Sequence, residues 1–415
     1  MIGSATSRST LRCGGQGLTR LSRALSLGVI CVYEDEGWSA LSVLCDLRPV
    51  FDLRCGRLTL LEKLRRRYLR TAFALQVRAE LAEVVAEAHP DCVVNPPLAR
   101  GGLFLNGRAI LDAAVPLSGP EAVLVAGEEV VGFRLKPGRE VERERLVVSL
   151  PVEPVKARVI RFPWELVELN AVELAAELAA GRGGGRAGSG VGVVGPRRLL
   201  AVKSGARVWP GTVISTETGP VLVDRNAQVR PGSFVEGPCY IGPGTAVDGA
   251  KVRPGCSFGP HCRIGGEVEA SVFQGYSNKH HDGFIGHSFV GEWVNLGAGT
   301  TNSDLKNAYD PVRVELAGRV CDTGRLKVGC FIGDHVKTAI GTLLNTGTVV
   351  GAFANWFEPG LSPKAVARFA RGAGARLALA EALATARAVM ARRGVAATAA
   401  WERLVRSLYR RKSRA

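Results

Sequence analysis

A short polar segment at residues 273–284 concentrates groups that can bind a ligand or move a proton. It reads Phe-Gln-Gly-Tyr-Ser-Asn-Lys-His-His-Asp-Gly-Phe and interrupts a regular repeat. His280 and His281 carry the side chain whose unperturbed pKa lies nearest neutrality, so either can take up and release a proton. A loop whose ends are fixed by a rigid scaffold is a common place for function. We expect this segment to form the active site.

The surrounding repeat places one apolar residue at about every sixth position. The first run contains a single five-residue step and comprises Val223, Val229, Val235, Ile241, Val247, Val252, Phe258 and Ile264. The second run is Val320, Leu326, Ile332, Thr338, Leu344 and Val350. Neither an α-helix nor an ordinary strand has this period, whereas a hexapeptide repeat is a signature of the parallel β-helix. The sequence therefore predicts a three-sided coil with these residues inside.

The residues between the apolar positions support a coil with tight corners. Gly and Pro recur at the corners, where glycine permits unusual φ angles and proline presets one. The fifth residue of each hexad is small, and we expect these residues to stack in rows: Thr245, Cys256, Cys262, Cys330, Val336, Thr342 and Thr348. His261 and His335 fall at corners and are predicted to be structural.

The net charge of +16 over 415 residues is concentrated at the two ends of the chain. Residues 1–28 contain four arginines and no acid, and residues 362–415 contain eleven arginines and two lysines against Glu381 and Glu402. A basic tail can contact nucleic acid or an anionic membrane. The Ala/Leu periodicity beneath the arginines favours a solvated helix face instead.

Other bulk features bound the class of protein. No apolar run is long enough to cross a bilayer, so no membrane-spanning segment is expected. The ten cysteines include no CxxC pair, which indicates reduced structural thiols and a cytoplasmic location.

The chain is predicted to contain five regions. These are an unstructured extension (1–28, a targeting leader or an over-extended start), an α/β domain (29–180), a Gly-rich linker (181–204), a β-helix (205–357) and a basic helical tail (358–415). Within the α/β domain we expect strands at 29–33, 123–126 and 147–150 and helices at 72–89 and 164–180.

The stretch after the polar segment resembles a known family. Residues 285–300, Ile-Gly-His-Ser-Phe-Val-Gly-Glu-Trp-Val-Asn-Leu-Gly-Ala-Gly-Thr, are similar to the bifunctional glucosamine-1-phosphate N-acetyltransferase/N-acetylglucosamine-1-phosphate uridylyltransferase family. The likeness is greater to an alternative bacterial branch described as sugar nucleotidyltransferases, which shares motifs like those at 275–283, 47–56, 106–108, 163–170 and 386–394. It implies an α/β nucleotidyltransferase-like domain, a left-handed parallel β-helix, a C-terminal helical tail and a homotrimer.

The resemblance also implies roles for single residues. His281 aligns with the general base, and Asn295 with a sugar-binding asparagine. Lys279 becomes a partner for the sugar phosphate. Asp304 is also expected to contact the substrate and stands where the family has asparagine, and Phe284 replaces a tyrosine that contacts phosphate. Further expected substrate contacts are Tyr276, Asn278 and Asn302, and Ala298 and Thr342 are expected to line the groove for the pantetheine arm of acetyl-CoA.

Several of these polar residues have ordinary alternatives. Asn278 and Lys279 can be simple loop polar groups, and Asn302 can cap a turn. In the front domain, Arg48, Arg54, Lys63 and Arg108 are candidates for holding a nucleotide's phosphates, with a carboxylate for Mg²⁺. Arg48 and Arg54 can equally form salt bridges at the edge of a core.

The leading hypothesis is an acetyl-CoA-dependent N-acetyltransferase acting on an amino-sugar phosphate resembling glucosamine 1-phosphate. Coupling to sugar-1-phosphate nucleotidyl transfer would make UDP-N-acetylglucosamine, with Mg²⁺ at the front domain. One alternative is a zinc enzyme of the γ-carbonic anhydrase type with ligands from His280, His281 and His287. Another is a non-catalytic β-helix scaffold whose tail binds a polyanion. The leading reading requires no metal in the β-helix and no membrane, and nucleic acid is not its partner.

Overall fold

The structure is a computed structural model that describes residues 29–96, 101–136, 143–179 and 188–411. The predicted extension at 1–28 lies outside these residues. In the described parts, no helix is both long and apolar enough to pass through a membrane. The predicted order of an α/β domain, a parallel β-helix and a helical tail is confirmed.

The N-terminal domain is built on a mixed sheet of seven strands. In spatial order the strands are Val152–Pro154, Ala122–Ala126, Glu129–Leu135, Gly102–Asn106, Val29–Tyr33, Ala72–Gln76 and Val93–Val94. Smaller two-stranded sheets pair Ala109–Leu111 with Ala157–Val159 and Arg54–Cys55 with Leu58–Thr59. Its α-helices are Ser42–Cys45, Leu60–Arg67, Ala82–Ala88, Arg143–Ser149 and Pro163–Ala179, and its 3₁₀ helices are Glu36–Leu41, Val50–Asp52 and Ala79–Leu81.

Two element predictions in this domain are wrong. Residues 147–150 were expected to be a strand, but they fall at the end of the helix Arg143–Ser149. The helix expected at 72–89 is a strand, Ala72–Gln76, followed by the short helix Ala82–Ala88. The strand pairs with Val29–Tyr33 in the centre of the sheet, so tertiary pairing overrides its helical propensity.

The β-helix has three walls of parallel strands. The first wall contains Gly192–Val194, Val213–Ser215, Phe234–Glu236, Lys251–Val252, Glu267–Glu269 and Phe284–Gly286, and the pair Thr301–Asn302 and Leu343–Leu344 lies further along. The second contains Leu200–Val202, Val221–Val223, Cys239–Ile241, Cys256–Phe258, Val272–Gly275, Phe289–Glu292, Phe331–Ile332, Val349–Val350 and Ala365–Val366. The third contains Arg207–Val208, Gln228–Val229, Ala246–Val247, Arg263–Ile264 and Asn278–Lys279, and it resumes at Lys337–Thr338, Asn355–Trp356 and Ala370–Arg371. Ala375–Arg376 closes this wall and pairs antiparallel with Ala370–Arg371.

The β-helix is longer at both ends than predicted. Gly192–Val194 pairs with Val213–Ser215 one coil away, so coiling begins inside the expected linker at 181–204. Ala365–Val366 pairs with Val349–Val350, beyond the expected end at 357. Gly and Pro at 359–363 do not end the coil, because they are the residues that a corner uses. The tail helices begin later, at Leu379–Ala391 (the first tail helix) and Ala399–Arg410 (the last tail helix).

The interior of the coil follows the six-residue repeat. Every member of the first run is fully buried, and the seven small fifth-position residues are at most 3% exposed. The second run is wrong at its start, since Val320 and Leu326 are 66% and 49% exposed. Val320 belongs to a hairpin, Arg313–Leu316 with Arg319–Asp322, that projects from the coil. The interior repeat resumes at Ile332.

The second wall is buried on both sides. Its inward residues join the coil core, whereas Val272, Phe289, Phe331 and Val349 point outward into the core of the N-terminal domain. The helix Pro163–Ala179 also lies against this wall, where the Asn170 side chain accepts from the backbone N–H of Gly56 at 2.7 Å and donates to the carbonyl of Gly255 at 2.8 Å. The N-terminal domain and the β-helix are therefore packed together through this wall.

An aromatic ladder runs along the corner between the second and third walls. It comprises His261, Tyr276, Trp293, His335, Phe353 and Phe369, stacked with centroid spacings of 4.3 to 6.2 Å. All six residues have positive φ, between 54° and 62°, so their rings stack at equivalent corners. From the last tail helix, Trp401 packs on His335 and Tyr409 packs on Phe369. The predicted structural role of His261 and His335 agrees with this placement.

Candidate active site

Some of the residues expected to bind the substrate lie on the outer side of the third wall, and others lie on its inner side. Successive residues of a strand face opposite sides, so one column of residues points outward and the next points into the coil. The outward column contains, on consecutive coils, Arg263, Asn278, Asn295 and Lys337. The Nδ2 of Asn278 donates to the Oδ1 of Asn295 at 2.7 Å. The structure thus brings two predicted asparagines together between two cations.

A cavity of about 600 Å³ lies over this outward column. Its other wall is the end of the first tail helix, with Arg392 and Arg393, and its corner side is formed by Tyr276 and Trp293. We call it the basic cavity, lined by Arg230, Arg263, Lys337, Arg392 and Arg393 together with Asn278, Asn295, Tyr276, Trp293 and His280. Its volume is typical of a small-molecule site.

The basic cavity carries an excess of positive charge. Burial lowers the pKa of Lys337 to about 8, and its Nζ donates to the carbonyl of His335 at 3.2 Å. The pKa of Arg263 is also lowered, first by burial and then by repulsion from Arg393 and Arg230. Among these groups only Arg230 has a carboxylate partner within the described residues, Asp248 at 2.8 Å.

The two neighbouring histidines are placed differently. His280 lines the basic cavity, its Nε2 lies 4.0 Å from the Asp248 Oδ2, and its Nδ1 is buried without a hydrogen-bond partner. His281 is exposed beside the cavity rather than in its lining, with its ring centre 5.1 Å from that of His280. Its side chain forms no hydrogen bond or ion pair with any described residue. His280 therefore shares the cavity with the asparagine pair, and His281 lies next to His280 at its edge.

The placement of Lys279 corrects its predicted role. Lys279 is 1% exposed and stacks in register with Ile264, inside the coil. Its Nζ donates to the carbonyls of Gly265 at 3.1 Å and His281 at 2.5 Å. Burial lowers its pKa to about 8, although nearby Asp282 opposes this. Lys279 holds the loop that carries His281 and cannot reach a phosphate outside the coil.

Two further predicted substrate contacts lie on the first-wall side. Asn302 is 3% exposed, accepts from the N–H of Gly286 and donates to the carbonyl of the same residue, so its amide is used internally. This corrects its assignment. Asp304 accepts from the Nδ1 of His287 at 2.7 Å, and although burial opposes the change, this bond lowers the pKa of Asp304. The half-buried His287–Asp304 pair was not predicted as a pair.

The predicted pantetheine contacts are only partly retained. Ala298 is half-buried on the coil of Asn295, and its carbonyl accepts from the N–H of Gly341 at 2.7 Å. Thr342 is 3% exposed, and its hydroxyl donates to the carbonyl of Ala339. Thr342 belongs to the small residues that fill the coil, so its assignment to cofactor binding is wrong.

The four basic residues expected to bind a nucleotide are occupied by protein partners. Arg48 contacts Asp334 and Glu292, each at 3.0 Å, and Lys63 contacts Glu173 at 2.6 Å. Arg108 contacts Asp35 at 2.5 Å, and Arg54 donates to the carbonyl of Arg57. All four side chains are buried. The alternative reading of Arg48 as a salt-bridge residue is confirmed, and these side chains do not form an open nucleotide site.

The carboxylates at the end of the first strand do not fit a Mg²⁺ site. Glu34 accepts from Arg78 and from the N–H of Val50, and Asp35 is bound to Arg108 and Asn106. Across the parts of the chain that the structure describes, no group of three or more His, Cys, Asp or Glu residues could hold a metal ion. The nine cysteines there are all free.

Comparisons with known proteins agree with this architecture. Residues 30–183 match the model of the sugar nucleotidyl transferase family. The chain is 35% identical over 139 residues to a bifunctional sugar-1-phosphate nucleotidylyltransferase/acetyltransferase of Sulfurisphaera tokodaii, which covers 33% of this chain and 35% of that protein. The predicted family resemblance is thereby confirmed.

Other relatives carry a related name. The bifunctional protein GlmU of Jannaschia sp. is 32% identical over 163 residues, covering 36% of this chain and 34% of its own length. GlmU of Methanocaldococcus jannaschii is 33% identical over 86 residues, 21% of each chain. The matched part thus spans about a third or less of these relatives. Among solved structures, Arabidopsis UDP-N-acetylglucosamine acyltransferase matches 44% of this chain and 67% of that chain at 10% identity, with a TM-score of 0.17 that carries no inference.

Proposed function

We propose that the protein transfers an acetyl group from acetyl-CoA to the amine of an amino-sugar phosphate bound in the basic cavity. The single observation that carries this proposal is that the Asn278–Asn295 pair and several cations without a carboxylate partner among the described residues line one cavity, with His280 in its lining and His281 beside it. Amide groups suit sugar hydroxyls, and cations suit a phosphate. The relatives named for sugar-1-phosphate and acetyl transfer support the substrate class.

In the proposed reaction the sugar amine attacks the thioester carbonyl carbon of acetyl-CoA. The C–N bond forms, the C–S bond breaks, CoA leaves as the thiolate, and the amine proton passes to an imidazole. His281 is the proposed base because it is exposed and its side chain has no other partner among the described residues. The bond from Lys279 to the His281 carbonyl supports a fixed loop position. Ala298, on the coil of Asn295, is the proposed contact for the pantetheine arm.

A second copy of the chain is part of this proposal. Ile340 and Leu361 are 80% and 59% exposed, and Leu343 is 41% exposed beside Leu361 in a β-bridge. Large exposed apolar side chains favour an interface between copies, and a homotrimer is the assembly we propose. Light scattering of the purified protein tests this directly, and a monomeric mass would contradict it.

Nucleotidyl transfer by the N-terminal domain is a second candidate activity, favoured by the family match over residues 30–183. This activity would need a nucleotide site built from other residues, because Arg48, Lys63 and Arg108 are each bound to carboxylates. Release of pyrophosphate from UTP and N-acetylglucosamine 1-phosphate is the measurement, with and without Mg²⁺. No release in either condition would remove this candidate.

The acetyl transfer is tested by CoA release with a panel of amino-sugar phosphates. We expect His281→Ala to lower kcat by about 10² to 10⁴-fold while the melting temperature stays unchanged. His280→Ala is the matched variant one residue away and should lower activity less. Full turnover in His281→Ala would remove its role as base, and no CoA release with any amino-sugar phosphate would sink the function.

A further inference from the structure

Most of the tail arginines that the structure describes are paired with carboxylates. Six of them are bound to carboxylates of the tail or of the N-terminal domain: Arg368 to Asp46, Arg371 to Glu381, Arg387 and Arg406 to Glu402, Arg403 to Glu83 and Arg411 to Glu80. Three of these arginines, Arg368, Arg403 and Arg411, hold the tail against the N-terminal domain, and the others pair within the tail. They are not available as a continuous basic surface, which counts against a tail that docks on an extended polyanion.

Arg392 and Arg393 differ from this group. Both line the basic cavity, and neither has a carboxylate within ion-pair distance among residues 29–96, 101–136, 143–179 and 188–411. They follow directly after the first tail helix, which ends at Ala391, and Gly394 turns the chain away with a φ of 69°. Cations at a helix C-terminus gain from the helix dipole, and this is the ordinary explanation for such a pair.

The helix dipole does not account for what lies opposite. Across the cavity stand Arg263 and Lys337 on the outward column of the third wall, and these also lack a carboxylate partner in the described structure. Repulsion from Arg393 lowers the pKa of Arg263 in addition to the effect of burial. Like charges brought together in a half-enclosed space cost free energy of folding. An anion placed between them would remove that cost.

We infer that the basic cavity binds a phosphate ester, with Arg392 and Arg393 closing on the anion from the tail and Arg263 and Lys337 holding it from the β-helix. Arginine pairs bidentately with phosphate oxygens, and a lysine acts as a point charge. The inference rests on the proposed function for the sugar attached to the phosphate. It makes the tail part of the substrate site and assigns the recognition of the phosphate to residues far from the polar segment in sequence.

Inorganic pyrophosphate is the probe, titrated calorimetrically into the full-length protein. We expect Arg392→Gln/Arg393→Gln to weaken its binding by about 10-fold or more, since each charge-assisted contact is worth that order. Arg410→Gln is the control, because Arg410 is exposed on the last tail helix, outside the cavity. It removes the same kind of charge and should change the dissociation constant by less than about 2-fold.

A merely structural role is separated by the melting temperature without ligand. Because Arg392 and Arg393 have no carboxylate partner in the described parts of the chain, the double variant should melt at or slightly above the wild-type temperature, and Arg393→Lys should recover part of the affinity. Equal pyrophosphate binding in wild type and double variant would overturn the inference. So would a double variant that loses binding only together with a large drop in melting temperature.

Two sources of phosphate ester are compared in separate arms, glucosamine 1-phosphate and CoA. Weakened binding of glucosamine 1-phosphate in the double variant, with unchanged CoA binding, supports the acceptor phosphate as the ligand. Weakened CoA binding alone supports the same anion site with the phosphates of CoA in it. If anion binding depends on the two arginines but no CoA is released in turnover, the proposed function fails and the anion site stands. If CoA is released in turnover but the binding of neither glucosamine 1-phosphate nor CoA depends on Arg392 and Arg393, the proposed function stands and the anion site fails.

Discussion

Arg48 and Asp334 form a 3.0 Å ion pair that joins the N-terminal domain to the β-helix, with side chains only 10% and 2% exposed. Burial raises the pKa of Asp334 to about 6, against the attraction of Arg48. Glu292 shares the same guanidinium at 3.0 Å. This small network is enclosed between the two domains, so each charge depends on the others for compensation.

Arg48→Met should therefore lower the free energy of unfolding by about 3 to 5 kcal/mol, because it leaves the buried Asp334 and the partly buried Glu292 without their partner. Chemical denaturation at pH 7 is the measurement. Arg403→Met is the control, since Arg403 also reaches the N-terminal domain, through Glu83, but both side chains are 62% exposed. That variant should lose no more than about 1 kcal/mol. Similar losses in the two variants would contradict the enclosed network.

Phosphate-ester binding should weaken as the pH rises through about 8. Burial lowers the pKa of Lys337 to about 8, so this side chain loses its charge in that range. Lys337→Arg should bind with little pH dependence between pH 7 and 9, and Lys337→Met should bind weakly throughout. Calorimetric titration with pyrophosphate at several pH values checks this, and an unchanged profile in Lys337→Arg would refute it.

Asn278 and Asn295 should act as a unit in binding the acceptor. Their side chains are hydrogen-bonded to each other at 2.7 Å, so removal of one also frees the other. Asn278→Ala and Asn295→Ala should each raise the KM for the amino-sugar phosphate by about 5- to 10-fold, and the double variant by less than the product. Asn355→Ala is the control on the same wall, in register with Lys337 but outside the basic cavity. Multiplicative effects would argue against a shared contact.

Lys279→Met should change stability rather than phosphate recognition. The lowered pKa of Lys279, about 8 against an ordinary 10.5, means that its charge costs folding free energy at neutral pH and that this cost disappears between about pH 8 and 10.5. The wild type should accordingly gain about 2 to 3 kcal/mol relative to Lys279→Met over that range. Denaturation at pH 7 and 10 measures the difference.

The same variant has a second readout. Because the Lys279 ammonium lies inside the coil, the KM for the acceptor should stay within about 2-fold of the wild-type value. A large rise in KM without loss of stability would restore Lys279 as a phosphate ligand and show that the loop opens during turnover.

The sequence repeat predicted the interior of the coil well, because a buried apolar position every six residues leaves few alternatives. It could also have separated Asn278 from Lys279, since neighbours in a strand face opposite sides. The family resemblance led us to expect both residues as substrate contacts, although neighbours in one strand cannot both face the same side. For Val320 and Leu326 the repeat itself misled the prediction. Their spacing fits the repeat by coincidence, but Val320 lies in an antiparallel hairpin outside the coil.

The basic cavity itself was beyond prediction from sequence. Arg392 lies more than a hundred residues from Asn278, and no local pattern indicates that the first tail helix folds back over the third wall. Similarly, Arg48 and Lys63 are basic residues in a domain related to nucleotidyl transferases, and only the positions of Asp334 and Glu173 show that they are already paired. Charge composition alone could not distinguish the two situations.

The folded-back tail has a practical consequence for dissecting the protein. The first tail helix carries one side of the basic cavity, and the last one is tied to Glu80 and Glu83 of the N-terminal domain while it covers the aromatic ladder. Deleting the chain after Leu377 would remove both one side of the basic cavity and the ion pairs that join the tail to the N-terminal domain. Loss of activity in such a deletion would be ambiguous, so point changes at the arginines are the cleaner instrument.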